Sequence, residues 1–159
     1  MMTHKLSWRV IPFALEMHVV FFSSKFASIE EAEKGTSRTD LVVMSVLFEI
    51  SHGDQSLFAF TDRIRELRKP ASSFDFDFKG VNILPRNLEE FYEFDGSLTT
   101  SPYSEITTWI VYPETMYISS KQLNQFRTIL NKKNLRILAN SRRLQRRRNR
   151  IVYHVMPFK

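Results

Sequence analysis

The sequence predicts a mainly β or α+β fold. Several segments have the composition and periodicity of strands, whereas few have those of helices. Hydrophobic residues make up 43% of the chain and aromatic residues 13%, which supplies enough apolar surface for a packed core. The length of 159 residues, without internal repeats or a low-complexity linker, indicates one domain or part of one.

Four segments are predicted to form strands. They are residues 14–22 (ALEMHVVFF), 41–50 (LVVMSVLFEI), 106–112 (ITTWIVY) and 151–155 (IVYHV). The first alternates in a way that puts Glu16, His18 and Val20 on one face. The second is a nearly continuous apolar run, which is typical of a strand buried on both faces. A turn is predicted after it, at residues 52–54.

Two segments are predicted to form amphipathic helices. A third segment, residues 28–34, is predicted to form a short polar helix or turn. Residues 56–68 have apolar side chains at helical spacing, and Pro70 ends that helix. Ser119 and Gln122 form a capping box that opens the second helix. The inward-facing positions are Leu57, Phe60, Ile64 and Leu67 in the first helix and Leu123, Phe126 and Leu130 in the second.

Basic residues are concentrated near the C-terminus. The formal net charge is +6, but the stretch from Lys121 to Arg150 contains eleven Lys or Arg residues and no Asp or Glu, which leaves −5 on the rest of the chain. Its densest part, Arg142–Arg150, has the charge to neutralise phosphates or to resemble a nuclear-targeting patch. Aromatic residues, which single-strand-binding proteins place among basic residues, are missing within it. We therefore expect a solvated basic face rather than a nucleic-acid site.

We expect neither a membrane span nor a signal peptide. No window reaches the roughly 18 consecutive apolar residues that a span needs, and residues 1–9 contain no apolar core before a small-residue cleavage site. The chain has no cysteine, so it contains no disulfide and no thiolate metal ligand. This favours the cytoplasm slightly and leaves the localisation undetermined.

Three segments resemble the α-type carbonic anhydrase family, in the family's order. Glu16–Val20 (EMHVV) is similar to the strand that carries the third zinc-ligand histidine. Gly96–Pro102 (GSLTTSP), followed by Glu105 and Trp109, is similar to the family's G-S-L-T-T-P-P motif and its tryptophan. Asn140–Arg150 resembles the N-x-R-P-x-Q-P-x-x-x-R segment. The resemblance divides the chain into an unmatched segment, residues 1–12, and a partial carbonic anhydrase domain, residues 13–159.

The resemblance implies a fold, a reaction and a metal site. The fold would be the C-terminal part of one large twisted β-sheet with a few peripheral helices, and the reaction the reversible hydration of carbon dioxide to bicarbonate at Zn²⁺. His18 would be a zinc ligand, and Glu16 would accept a hydrogen bond from its other ring nitrogen. Thr99 would be the gatekeeper threonine that orients zinc-bound hydroxide, with Thr100 beside it.

The resemblance also implies an apolar wall for carbon dioxide, formed by Val20, Val43, Leu98 and Trp109. Ordinary core packing explains each of these four residues equally well.

The two other zinc ligands of the family are missing from this chain. In the family they form an H-x-H pair upstream of the Glu-x-His strand, whereas here only His4 precedes Glu16. A catalytic zinc needs three protein ligands and an open position for water. We therefore expect this 159-residue chain to be inactive or incomplete as an enzyme, and we expect its one site imidazole not to hold zinc tightly.

Three functional hypotheses follow. The chain is a truncated part of an active zinc lyase, which upstream coding sequence with an H-x-H pair would indicate. Alternatively, it is a catalytically silent carbonic anhydrase-related interaction protein, or a basic protein that binds nucleic acid. The absence of the family's N-terminal strands would also expose a sheet edge, so we expect self-association when the chain is expressed alone.

Overall fold

A computed structural model of the protein describes residues 13–52, 61–69, 72–73, 75 and 83–157. A mixed β-sheet dominates these residues, and their helices are short. The predicted mainly β or α+β fold is confirmed, and it is consistent with the fold that the resemblance implies. In chain order the elements are β1 (Leu15–Phe22), α1 (Ile29–Ala32), β2 (Leu41–Ile50), a 3₁₀ helix (Ile64–Arg68), β3 (Phe91–Gly96), β4 (Thr107–Val111), β5 (Met116–Ile118), α2 (Ser120–Phe126) and β6 (Tyr153–Val155).

The sheet has the strand order β1-β2-β4-β3-β6, and β5 pairs with β2 off this path. Strand β2 is antiparallel to β1 and parallel to β4 and β5, while β3 is antiparallel to β4 and β6. Strand β2 is therefore central, which explains its almost uninterrupted apolar sequence. Among the described residues, β1 is an edge strand along its whole length, and Val20, Phe21 and Phe22 are exposed there.

The two faces of β2 carry different clusters. Met44, Val46 and Phe48 face the main core, which also contains Tyr112, Met116, Ile118 and Leu123. Leu41 lies on the opposite face, in a smaller cluster with Ala32 and Ile106. Val43 and Ser45 are on that second face as well, because side chains alternate along a strand. The predicted burial of this strand on both faces is confirmed.

The capping box predicted at the start of the second helix is present. Ser119 N donates to Gln122 Oε1 over 2.9 Å, and Gln122 N donates to Ser119 Oγ over 3.2 Å. Leu123 and Phe126 face the main core as predicted. The helix ends at Phe126, however, so the prediction that Leu130 belongs to it is wrong. Leu130 instead forms an isolated antiparallel bridge with Arg136.

The remaining predictions differ from the structure mainly in extent. The polar segment at 28–34 contains α1, and the strand at 106–112 is β4. The helix predicted over residues 56–68 is a 3₁₀ helix in its C-terminal part, Ile64–Arg68. Several of these predictions fall outside the described residues: the helix positions Leu57 and Phe60, the helix stop at Pro70 and most of the turn predicted at 52–54. Strand β6 begins at Tyr153 rather than Ile151.

No helix in the described ranges is long and apolar enough to cross a bilayer.

Candidate functional site

The floor of the candidate site is a row of side chains that crosses four strands. Val20 on β1 is paired with Val43 on β2, Val43 with Trp109 on β4, and Trp109 with Phe94 on β3. Directly paired residues point to the same face of a sheet. The register therefore brings together three of the predicted wall residues, although they are far apart in the sequence.

A small cavity lies over this row. Its volume is about 170 Å³, and its lining is more apolar than polar in character. The predicted site residues that line it are His18, Val20, Val43, Leu98, Thr99, Thr100 and Trp109. The structure thus places all the predicted site residues except Glu16 around one cavity, and Glu16 contacts His18 directly.

His18 is held by a carboxylate on its own strand. Its Nε2 lies 2.9 Å from Glu16 Oε1, and because an ionised carboxylate only accepts hydrogen bonds, the imidazole nitrogen donates. Ser45 on β2, directly opposite His18 and fully buried, donates its hydroxyl to the same oxygen over 2.6 Å. Nε2 is thereby engaged, and Nδ1 is the ring nitrogen left for another partner.

The hydrogen bond from His18 lowers the pKa of Glu16 below its ordinary value. Partial burial opposes this shift, while the Ser45 hydroxyl and the nearby imidazole add to it. Glu16 is therefore a carboxylate at neutral pH. As such it favours the tautomer of His18 that carries its proton on Nε2.

Trp109 is fixed by contacts with four residues. Its indole Nε1 donates to the backbone oxygen of Ser97 over 3.2 Å, and its ring meets His18 edge to face with centroids 4.8 Å apart. Gly96 leaves room for the indole, since a Cβ there would lie 2.6 Å from Trp109 Cδ1. Phe94 is nearly parallel to the indole at 6.5 Å. The glycine and the tryptophan of the sequence motif are thus in direct contact.

The loop after β3 carries Leu98, Thr99 and Thr100 to the rim of the cavity. Backbone hydrogen bonds close it, from Leu98 N to Ser104 O over 3.0 Å and from Tyr103 N to Thr100 O over 2.8 Å. The Ser101-Pro102 peptide bond within this loop is cis, as its sequence allowed. The two threonines are exposed at its tip.

Arg142, from the third sequence motif, anchors the same loop. It donates to Ser97 Oγ over 2.8 Å and to the Leu98 carbonyl over 3.3 Å. Its guanidinium also lies 4.1 Å from the centroid of the Tyr103 ring. Two motifs that are about forty residues apart in the sequence therefore form one structural unit.

The described residues do not fit a catalytic zinc ion. Zinc needs three protein ligands, and no group of three or more His, Cys, Asp or Glu side chains within the described ranges could hold a metal. His154 occupies the same cross-strand row as His18, but four strand spacings of about 4.8 Å separate them, roughly 19 Å in all. His52 is exposed beyond the end of β2.

Sequence reasoning missed four residues of the site. Ile29, Glu33 and Leu41 also line the cavity, and Ser45 bonds Glu16. Ser45 is the one polar residue in the middle of the apolar run of β2, so a buried hydrogen-bond partner could have been sought there. No comparable signal in the sequence points to α1, which brings Ile29 and Glu33 to the cavity.

Comparison with known proteins agrees with this geometry. The family model for eukaryotic-type carbonic anhydrase matches residues 7–156. The chain is 34% identical over 121 residues to human receptor-type tyrosine-protein phosphatase zeta, and 33% identical over 123 residues to the same protein from Rattus norvegicus. Each match covers 74% of this chain but only 5% of the relative, so the chain spans a small part of these proteins. Since the family match extends over most of its length, the chain belongs to the eukaryotic-type carbonic anhydrase family.

Proposed function

We propose that this chain is a non-catalytic carbonic anhydrase-related domain that lacks zinc and acts by binding other molecules. The observation that carries the proposal is the ligand set of the cavity. His18 is its only imidazole among the described residues, and neither His52 nor His154 lies near it. One imidazole without thiolates is too few ligands for tight zinc binding.

The remaining features of the cavity have structural roles that do not depend on a metal. The Glu16 and Ser45 hydrogen bonds satisfy polar groups between two strands, and Trp109 packs against Gly96 and His18. In a zinc enzyme of this family, Glu16 would orient His18 and Thr99 would orient the zinc-bound hydroxide. In this chain we propose that Glu16, His18 and Trp109 maintain the fold around the cavity.

A second candidate function is catalysis by a longer polypeptide that contains this chain. The specific observation in its favour is the engagement of His18 Nε2 by Glu16, which leaves Nδ1 for a ligand. Reversible hydration of carbon dioxide would then require two further ligands from outside the described residues. The phosphatase activity in the name of the relatives is not transferred, because the chain covers only 5% of them.

Stopped-flow measurement of carbon dioxide hydration tests the proposal. We expect the 159-residue chain with excess zinc to produce no rate above that of the zinc buffer alone. His18→Ala should leave the measured hydration rate unchanged. The matched control His154→Ala, at a histidine that also contacts a glutamate through Nε2, should leave it unchanged as well. A hydration rate that His18→Ala abolishes and His154→Ala retains would contradict the proposal.

Binding to other macromolecules is also part of the proposal, in line with the occurrence of a similar segment inside a much larger receptor-type protein. We further propose self-association through β1, whose edge among the described residues exposes Val20, Phe21 and Phe22. Binding of an extended nucleic acid is the less favoured partner class, because no aromatic residue that could stack on bases lies within Arg142–Arg150.

A further inference from the structure

A second cavity, larger than the one at His18, lies beside the C-terminal end of β3. Its volume is about 560 Å³, and its lining includes five arginines and two carboxylates, Asp95 and Glu105. The lining thus has a marked excess of positive charge. The arginines are Arg38, Arg142, Arg146, Arg148 and Arg150.

Three of these arginines are held by protein groups. Arg38 pairs with Asp95 over 2.6 Å, and Arg142 anchors the loop after β3. Arg150 donates to the backbone carbonyls of Arg146 and Arg147, each over 3.2 Å. Within the described ranges, no carboxylate pairs with Arg146 or Arg148. Their charges are therefore available to a ligand.

A tight turn at Arg147–Arg150 contains Arg148 and directly follows Arg146. Arg150 N donates to the Arg147 carbonyl over 3.2 Å, and Arg147 Nε donates to the Arg150 carbonyl over 2.9 Å. Arg148, inside the turn, has a left-handed backbone with φ of 53°. Such a conformation is unfavourable for a residue with a Cβ, and it is found more often where function constrains the backbone.

We propose that this cavity binds a compact ligand that carries several phosphate or sulfate groups. Guanidinium groups pair with such oxyanions through two parallel hydrogen bonds, which makes arginine better suited to them than lysine. The cavity gathers its arginines around one concave space, so several can contact the same ligand. Charged groups in a concave site are also less screened by salt than scattered surface charges.

The same geometry argues against an extended nucleic acid strand. Base stacking needs free aromatic faces, but the guanidinium of Arg150 lies 5.8 Å from the Phe94 ring centroid and that of Arg142 lies 4.1 Å from the Tyr103 ring centroid. Each of these two rings has an arginine against it, and no aromatic side chain among the described residues lines the cavity. This site is separate from the cavity at His18 and does not depend on whether zinc binds there.

Isothermal titration calorimetry of the 159-residue chain tests the proposal, with tripolyphosphate and a fully sulfated heparin disaccharide as probes. We expect saturable 1:1 binding of at least one probe, and the tighter probe identifies phosphate or sulfate as the preferred group. The variant Arg146→Gln/Arg148→Gln should bind that probe at least about tenfold more weakly, because each guanidinium contributes charge-assisted hydrogen bonds. The matched control Lys132→Gln/Lys133→Gln removes the same charge from exposed positions outside the cavity and should stay within about twofold.

A third variant separates geometry from charge. Arg146→Lys/Arg148→Lys retains both charges and should lose part of the affinity, since lysine cannot form the paired hydrogen bonds. Equal weakening in the arginine and lysine-control variants would overturn the proposal, because it would indicate non-specific charge attraction. Absence of saturable binding to either probe would overturn it as well. A third outcome would overturn it too: single-stranded RNA binds more tightly than either probe, and the Lys132→Gln/Lys133→Gln variant weakens RNA binding as much as the Arg146→Gln/Arg148→Gln variant does. That outcome would indicate an extended basic surface.

Discussion

Replacing Gly96 with alanine tests whether Trp109 is packed as the structure has it. Gly96 ends β3, and a Cβ at this position would lie 2.6 Å from Trp109 Cδ1 and 2.9 Å from Trp109 Nε1. Carbon atoms in favourable contact are about 3.5–4.0 Å apart. The backbone φ of Gly96 is outside the left-handed region, so alanine can adopt the same conformation. The substitution therefore tests the contact rather than the backbone.

The magnitude follows from how firmly the indole is held. Relief of the contact requires a shift of about 1 Å. Trp109 is only 6% exposed, and it donates to Ser97 and packs against His18, so such a shift disturbs several contacts. Overpacking of this kind costs about 1–3 kcal/mol, whereas the smaller conformational freedom of alanine in the unfolded chain returns about 0.4–1 kcal/mol. We expect a net loss of about 1–2 kcal/mol in the free energy of unfolding.

Urea unfolding of a double-mutant cycle is the assay. The four proteins are the unaltered chain, Gly96→Ala, Trp109→Val and the double variant. Valine has no atoms beyond Cγ, so Trp109→Val removes the two atoms that the alanine Cβ would meet, and the double variant should be less destabilised than the sum of the single variants by about 1 kcal/mol. A Gly96→Ala variant within about 0.5 kcal/mol of the unaltered chain, or a strictly additive cycle, would mean that an alanine Cβ does not press on Trp109.

Three further predictions concern other parts of the molecule. A hydrogen bond from Lys25, and to a lesser extent one from a backbone amide, lowers the pKa of buried Asp40. The ionised carboxylate therefore stabilises the fold above its ordinary pKa of about 3.9, and this stabilisation is lost as the pH falls through the lowered value. Asp40→Asn should lower the urea midpoint at about pH 7 and have less effect at about pH 3, and an equal effect at both pH values would contradict this. Phe21→Lys on the exposed edge of β1 should reduce self-association measured by analytical ultracentrifugation, whereas a monodisperse monomer before substitution would contradict the proposed interface. Arg142→Ala should lower the free energy of unfolding by about 1–3 kcal/mol, because it removes the anchor of the loop after β3. Arg143→Ala, at the exposed next position, should change it by less than about 0.5 kcal/mol. Equal effects of the two variants on urea unfolding would exclude that anchor.

The parts of the fold with strong local patterns could be predicted from the sequence. The apolar run at Leu41–Ile50 matches β2 residue for residue, because a central strand is mostly apolar on both faces. The capping box at Ser119 is equally local, since its two hydrogen bonds depend only on residues three positions apart. The neighbourhood of His18, Leu98 and Trp109 was predictable through the resemblance, which supplied the long-range relation that periodicity lacks.

The parts that depend on distant contacts could not be predicted in this way. Strand β5 has only three residues and exists because it pairs with the end of β2, and β3 forms between β4 and β6. The helix predicted to continue to Leu130 stops at Phe126 because a tight turn follows it. Thr128 N donates to the Gln125 carbonyl over 2.9 Å and Ile129 N to the Phe126 carbonyl over 3.1 Å, so bonds to the third preceding residue replace the helical ones. The Thr128 hydroxyl also donates to the Gln125 carbonyl, over 2.7 Å.

In the candidate site, too, local contacts could be predicted from the sequence, whereas contacts between distant residues could not. The Glu16 and His18 pair is readable from their alternation on one strand, and their side chains meet as expected. Ser45, which completes that hydrogen-bond network, comes from β2 and depends on the register between two strands. The converging arginines of the second cavity likewise depend on a turn and on strand ends that the sequence alone does not place together.

We propose that this carbonic anhydrase domain does not hold zinc at His18. The most direct measurement is the zinc content of the purified 159-residue chain after equilibration with zinc and gel filtration, alongside His18→Ala and the matched control His154→Ala. We predict much less than one zinc per chain, with no difference among the three proteins. One tightly bound zinc per chain that His18→Ala loses and His154→Ala retains would contradict the claim.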